Sequence, residues 1–313
     1  MMRGIGVVLL GLFVATVQAE KRIEDYPLQQ VADHTWVIHG PMAFPNVENR
    51  GFMNNPGFVV TDKGVVVIDP GSSLYAGEMV LRMMRTVTDQ PVVAVLNTHV
   101  HGDHWLGNDA IQRAFPNAVI YAHPEMIREA KAGEGERWNH NLAQMTEGFT
   151  EGTRVVYPTL SLNHGDAITV GGVIFRMHHY GIAHSKSDLM VEVEQEGVVF
   201  LGDNVMAERF GGMQSGTFAG NINAIDKVLK SKATVWVPGH GPTGGRKMVG
   251  NFRNYLNSVY EAARYAFNED MDSSEVKGVA LEKTTAYKDW AGYDFELGRH
   301  ANQAYLEIEA LEF

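Results

Sequence analysis

One stretch limits what this chain can become: Asn97-Thr98-His99-Val100-His101-Gly102-Asp103-His104-Trp105-Leu106-Gly107-Asn108. The run before it, Pro91-Val92-Val93-Ala94-Val95-Leu96, is apolar and β-branched, the pattern of a buried strand. After it, Gly107-Asn108-Asp109 opens a helical segment at Ala110. Four residues able to ligate a metal thus sit on a loop at the end of a core strand, a rigid support for reactive groups. His99 and His101 are two apart, so in extended backbone their side chains point the same way and can grip one ion. Asp103 and His104 point away from that pair and are better placed to grip a second ion. Imidazole and carboxylate without thiolate suit zinc, iron, manganese or cobalt.

The rest of the chain is compatible with such a site. Its 313 residues, 45% hydrophobic, can bury one large core with an appendage. The formal charge of −11, without basic runs, argues against nucleic acid or an anionic membrane surface as a partner. Bound divalent cations would offset part of that charge. There is no Cys, which excludes thiolate ligands, a Cys nucleophile, disulfides and a lipid-modified Cys. At the N-terminus, Arg3, the apolar Ile5 to Val14 and the small-residue site Val17-Gln18-Ala19 precede Glu20-Lys21-Arg22. That order predicts a cleaved signal peptide over residues 1–19 and a periplasmic or secreted protein. About 15 apolar residues is short for a span, so stable membrane insertion is not expected.

Read in order, several apolar strands end in a polar side chain. Val65 to Ile68 ends in Asp69-Pro70-Gly71, where a carboxylate could hydrogen-bond a ligating His. Gly172 to Met177 leads into His178-His179-Tyr180-Gly181-Ile182-Ala183-His184-Ser185. Val198 to Leu201 ends in Gly202-Asp203-Asn204, and Thr234 to Val237 in Pro238-Gly239-His240-Gly241. If the sheets align these ends along one edge, a site assembles there. Spacing alone leaves His178, His179 and His184 as alternatives for one ligand. The Gly, Pro and Asn-rich run from Gly40 to Pro56, with Phe44, Phe52 and Met53, reads as a pocket wall. His34, His39 and His300 stand alone and read as structural, while His123 and His140 face solvent. From Arg246 the pattern is helical and amphipathic, over 252–260, 273–283 and 296–311. Those helices would pack on the core or on a second copy, making a homo-oligomer.

The motifs His99-x-His101-x-Asp103-His104, Gly181-x-x-His184-Ser185, Gly202-Asp203 and Gly239-His240-Gly241 occur in the order found in the metallo-β-lactamase-fold hydrolase superfamily, which this chain resembles over Val37 to Gly241. The resemblance implies an α/β (α+β) fold, the αβ/βα four-layer sandwich, with a two-metal site at one edge and a C-terminal helical extension. It divides the chain into a signal peptide (1–19), a catalytic domain (20–245) and the extension (246–313). It implies that His99, His101 and His184 hold one zinc, that Asp103, His104 and His240 hold another, and that Asp203 bridges them. Gly-x-x-His-Ser selects His184, with His178 or His179 as the alternative. Two zinc ions per chain are expected, with iron or manganese as substitutes. A hydroxide shared by both ions would be the nucleophile, oriented by the catalytic Asp103.

The implied activity is hydrolysis of an ester, thioester or amide-like bond in a small molecule, with lactams in range. Asp203 stands where the lactamases with the most similar metal loop carry Cys. Asp at that point looks like glyoxalase II and the broad hydrolases, although the tail has no basic cluster for glutathione. Export plus a helical tail looks like the hydrolases associated with sulfur oxidation or quinoprotein systems. The competing readings are a mononuclear iron oxygenase acting on persulfides, with two His and one Asp, and a metal-binding protein without catalysis.

Overall fold

A computed structural model describes residues 21–312; the signal-peptide reading over 1–19 lies outside the described residues. Seven strands form a first sheet in chain order: β1 (Leu28–Ala32), β2 (Thr35–Ile38), β3 (Gly57–Thr61), β4 (Gly64–Ile68), β5 (Val92–Leu96), β6 (Val119–Ala122) and β7 (Leu160–Ser161). Five more, β8 (Ala167–Val170), β9 (Val173–His178), β10 (Met190–Val193), β11 (Val198–Phe200) and β12 (Val235–Val237), form a second sheet in the order β12-β11-β10-β9-β8. The helices are α1 (Leu74–Arg85), α2 (Gly102–Trp105), α3 (Asn108–Ala114), α4 (Pro124–Glu129), α5 (Gly135–Met145), α6 (Phe218–Val228), α7 (Arg246–Asn268), α8 (Val276–Lys283) and α9 (Tyr293–Glu312).

The strand side chains show why two sheets stack. Along β4, Val65 and Val67 pack with Ala76, Met79 and Val80 of α1, while Val66 and Ile68 turn to the other face and meet Phe175, Val191 and Phe200 of the second sheet. A strand buried on both faces reads as a continuous β-branched run, which Val65 to Ile68 is. The second sheet repeats the logic: Val191 and Val193 face inward, and Met190 faces a layer made with α6, α7 and α9. The result is the four-layer sandwich that the motifs implied.

The C-terminal helices share one apolar core with the outer face of the second sheet, from Val199 and Trp236 through Phe252 and Tyr255 to Leu297 and Ala301. Among the described residues, no helix is long and apolar enough to cross a membrane.

Some elements differ from the sequence expectation. β1 and β7 were not foreseen: β1 alternates poorly, and β7 has two exposed residues. α6 starts at Phe218, where the Thr217 side chain accepts from the Gly220 N–H and caps it. Asp103 and His104 lie on the one-turn helix α2, not on an extended loop, closed by His104 N–H to the His101 carbonyl at 3.1 Å. That turn rotates them away from the His99/His101 pair.

The elements converge at one end of the sandwich. The parallel pairs β4/β5 and β11/β12 deliver Asp69, the His99 loop, Asp203 and His240 to the same edge. Leu189 N–H bonds the Thr98 carbonyl at 2.8 Å and ties the second sheet to the metal-motif loop.

Candidate metal centre

Two adjoining groups form at that edge. Donor atoms of His99, His101, His184 and Asp203 lie within 4.8 Å of one another, as do those of Asp103, His104 and His240. All except the half-buried His101 are buried. Asp203 stands between the groups: Oδ2 is 3.9 Å from His99 Nε2, 3.6 Å from His184 Nε2 and 3.3 Å from His240 Nε2, and Oδ1 is 3.2 Å from His104 Nε2. In the second group Asp103 Oδ2 lies 3.2 Å from His240 Nε2 and 3.4 Å from His104 Nε2.

These are close approaches without hydrogen-bonding alignment. His99 Nε2, Asp103 Oδ2 and Asp203 Oδ1 are buried and have no hydrogen-bond partner. His184 Nε2 and His101 Nδ1 face each other at 3.0 Å, and His104 Nε2 and His240 Nε2 at 3.4 Å. Imidazole nitrogens aimed at each other need a cation between them, a proton or a metal. Unsatisfied buried donors are costly, so the donor set fits metal binding. Borderline nitrogen and hard oxygen donors suit zinc.

The opposite ring nitrogens are held by neighbouring groups of the chain. His104 Nδ1–H donates to Asp69 Oδ2 at 2.8 Å. Thr98 Oγ donates to the same Oδ2 at 2.6 Å and in turn accepts from His99 Nδ1–H at 3.0 Å. One carboxylate therefore orients a histidine of each group, the arrangement that fixes metal ligands. His240 Nδ1–H donates to the Met53 carbonyl at 2.9 Å, and His101 Nε2 faces Ser215 Oγ at 3.4 Å.

Charge follows the same division. Burial pushes His99 well below the usual imidazole range and His184 down to about 3, so both are neutral donors. Burial opposes the charge on Asp103, but His104 and His240 outweigh it and hold the carboxyl down at about 2. Burial likewise opposes charge on His104, and the Asp203, Asp103 and Asp69 carboxylates raise it well above the usual value.

Tight backbone makes the approach feasible. Gly202 has φ 54°, a conformation glycine adopts freely, and precedes Asp203 on a single helical turn. The pocket in front of the groups is about 440 Å³ and is walled by Phe44, Met53, Trp138, Met145, Met206 and Arg209 among others. Phe44 and Met53 come from the loop over Gly40 to Pro56, while Phe52 turns into the core.

The seven histidines and aspartates singled out in the sequence come together here. His178 and His179 do not: His178 Nε2 bonds Glu192 at 2.7 Å, and His179 Nδ1–H donates to the Asp188 carbonyl at 2.9 Å. His123 is half-buried and stacks on His179 at 4.1 Å, rather than facing solvent freely. Sequence reading missed Asn54, Asn55 and Arg209. Asn55 Nδ2 donates to the Pro238 and Gly241 carbonyls at 2.9 and 2.7 Å, framing His240, and Asn54 Nδ2 donates to the Asp69 carbonyl at 3.0 Å. In the sequence these adjacent Asn residues stood out only as part of the Gly40 to Pro56 run.

The sequence profile of the metallo-beta-lactamase superfamily matches residues 49–240, which hold every residue of both groups. The chain belongs to the metallo-beta-lactamase superfamily. A metallo-beta-lactamase type 2 of Bacteroides fragilis is 23% identical over 272 residues, covering 83% of this chain and 98% of that protein. A hydroxyacylglutathione hydrolase of Gloeothece citriformis is 28% identical over 176 residues, 54% of this chain and 57% of that protein, so this chain spans little more than half of that relative. Among solved structures, a metallo-beta-lactamase from Pontibacter korlensis superposes with a TM-score of 0.60 at 20% identity, over 74% of this chain and 98% of its own. A sec-alkylsulfatase from Pseudomonas sp. gives 0.68 at 16% identity, over 90% of this chain and 50% of its own. At these identities the structural likeness is one of fold. Superfamily membership makes this a metallo-hydrolase-type chain with His and Asp groups able to hold divalent metal.

Proposed function

We propose that this chain is a zinc-dependent two-metal hydrolase of an ester, thioester or amide-like bond in a small molecule. The observation that carries this reading is the pair of adjoining donor groups sharing Asp203. His99, His101 and His184 would hold one ion and Asp103, His104 and His240 the other, with Asp203 touching both. A one-iron oxygenase would leave a complete buried second group without a task. Bound there, two divalent ions supply hydroxide at neutral pH and an electrophile for the scissile carbonyl.

The chain's own residues do the remaining work. The Asp103 carboxylate lines the pocket and, beside its place in the second group, can accept a hydrogen bond from a water held there. Asp69 fixes His99 and His104 from behind. Phe44, Trp138 and the methionines bind apolar parts of the substrate and displace water. The relatives' names bring lactams and thioesters into the substrate range. Residues 1–19 support export to the periplasm or beyond.

The test starts with elemental analysis of protein purified without chelator, where two zinc ions per chain are expected. Hydrolysis of one class among lactams, thioesters, lactones and phosphoesters should follow, lost in Asp103→Ala with the circular dichroism unchanged. One iron per chain with oxygen uptake on sulfur substrates would overturn the proposal.

A further inference from the structure

Three side chains of α9 reach one stretch of the chain. His300 Nε2–H donates to the Gly211 carbonyl at 2.9 Å. Gln303 Nε2 donates to the Met213 carbonyl and, at 3.2 Å, to the Gly216 carbonyl. The Glu307 carboxylate accepts the Phe218 and Ala219 N–H groups at 2.6 and 3.0 Å. Positions 300, 303 and 307 share one face of a helix. The stretch they hold, Gly211 to Thr217, contains three glycines and no regular structure. Its main-chain groups must find partners outside any helix or ladder, and the backbone freedom of glycine opposes fixing it. The α9 side chains supply both the partners and the restraint.

That loop touches the first donor group at two points. Ser215 Oγ faces His101 Nε2 at 3.4 Å. A Cβ on Gly216 would lie 2.0 Å from the Ala183 carbonyl oxygen and 2.4 Å from that of His184, so the loop rests directly on the main chain of this ligand. Thr217 N–H bonds the same Ala183 carbonyl at 2.8 Å.

The two donor groups differ in how their rings are braced. In the second, His104 gives its Nδ1–H to Asp69 and His240 to the Met53 carbonyl. In the first, His99 is braced by Thr98. His184 Nδ1 is buried with no hydrogen-bond partner. His101 turns Nδ1 toward His184, which leaves its Nε2 for Ser215. Two of the three histidines of the first group thus depend on the 211–217 loop. The loop in turn depends on α9, which lies outside the matched residues 49–240.

We propose that α9 completes the support of the first donor group, with Gln303 as the positioning residue. Gln303 pins the glycine-rich loop at two carbonyls, and the loop braces His101 through Ser215 and His184 through Gly216. The C-terminal extension is then a working part of the metal centre, although it carries none of the seven ligating residues. This rests on the two-metal reading for the ion that the histidines hold, but not for how the loop is held.

The test compares full-length wild type, Gln303→Met, Ser215→Ala and Tyr305→Phe. Methionine keeps the length of Gln303 and removes its N–H donors. Tyr305→Phe is the matched control: it takes one hydrogen bond from the same helix, to the Met271 carbonyl at 2.9 Å, and leaves the loop's partners in place. Zinc affinities are read by competition with a chromophoric chelator. One of the two zinc ions should bind about tenfold more weakly in Gln303→Met and in Ser215→Ala, the scale of loss for partners that orient a ligand. The other ion should be unchanged, and Tyr305→Phe should match wild type. The loss should persist in an Asp103→Ala background, where the first group alone is complete. Ser215 is exposed, so Ser215→Ala decides the matter if Gln303→Met fails to fold. Amide exchange over residues 211–219 of metal-free protein should be faster in Gln303→Met than in wild type or Tyr305→Phe. Wild-type zinc affinity in both Gln303→Met and Ser215→Ala, equal weakening of both ions, or unchanged exchange over 211–219 would overturn the proposal. A wild type that takes up no zinc would sink the two-metal reading instead, and the exchange would still decide whether α9 holds the loop.

Discussion

The Asp69 carboxylate accepts the Nδ1–H of His104 at 2.8 Å and, through Thr98 Oγ, orders His99 as well. One residue therefore sets the ring orientation in both donor groups. It does so from a backbone conformation, φ 49°, that Asp and Asn tolerate better than most residues. Asp69→Asn thus removes the charge without new backbone strain. Its amide N–H would face His104 Nδ1 and push the ring to the Nε2–H tautomer, which has no lone pair for metal. Zinc affinity at the second group should fall by about 10–100-fold, as for other such orienting partners. Chelator competition measures it, and wild-type affinity would show that Asp69 serves only the loop.

Removing metal should expose the strain in these groups. Asp103, Asp203, His104 and His240 would stay buried with only protons to balance them. Ligand binding to the folded state alone adds about 4 kcal/mol at a thousandfold excess over Kd. For a chain of this size the melting temperature should drop by roughly 5–10 °C after chelation, and return when zinc is added. Scanning calorimetry with and without chelator decides it; an unchanged melting temperature would mean that the groups do not hold metal tightly.

The fold and most of the clustered residues were legible because they follow a strongly patterned strand: the His99 loop after Val92 to Leu96, Asp203 after Val198 to Leu201, His240 after Thr234 to Val237; His184, inside the loop after β9, rested on the family motif. Asn55 and Arg209 were not, because their roles exist only between segments far apart in the chain. Asn55 reaches Pro238 and Gly241, 183 and 186 residues away. Arg209 is defined by its contacts with Met53, Phe44 and His240. A single arginine in Glu208-Arg209-Phe210-Gly211 carries no such signal. Spacing left His178 and His179 open beside His184; Gly-x-x-His-Ser favoured His184, and the strand pairing that puts His178 opposite Met190, with its ring on Glu192, agrees with that choice.

His300 on the last helix should contribute to the protein's acid sensitivity, beside other histidines that burial holds down. His300 Nε2–H donates to the Gly211 carbonyl at 2.9 Å, and its Nδ1 accepts from the Tyr255 hydroxyl at 2.8 Å. Burial holds its pKa down to about 4 from the usual 6.5. Between those values the unfolded chain takes up a proton that the folded chain refuses. Stability therefore falls as pH drops from about 6.5 toward 4, by about 3 kcal/mol in full. His300→Gln, which cannot titrate, should flatten that part of the profile in urea unfolding of chelated protein. An unchanged slope would assign the acid sensitivity elsewhere.

Gly239 occupies a place where no side chain fits. A Cβ there would lie 1.8 Å from Asp203 Oδ1 and 2.6 Å from the Gly202 carbonyl oxygen. The Gly202 carbonyl cannot yield: Gly239 N–H bonds it at 2.6 Å, and Gly202 is itself pressed against Thr98. Asp203 would have to swing away from both donor groups. Gly239→Ala should therefore bind fewer than two zinc ions per chain and lose about 1–3 kcal/mol of stability, the usual cost of overpacking. Gly245→Ala is the matched control, since its Cβ would meet nothing within 4 Å and its φ of −98° suits any residue. Full zinc content and an unchanged melting temperature in Gly239→Ala would show that Asp203 is not positioned by this packing, and would separate the backbone approach from the site's metal chemistry.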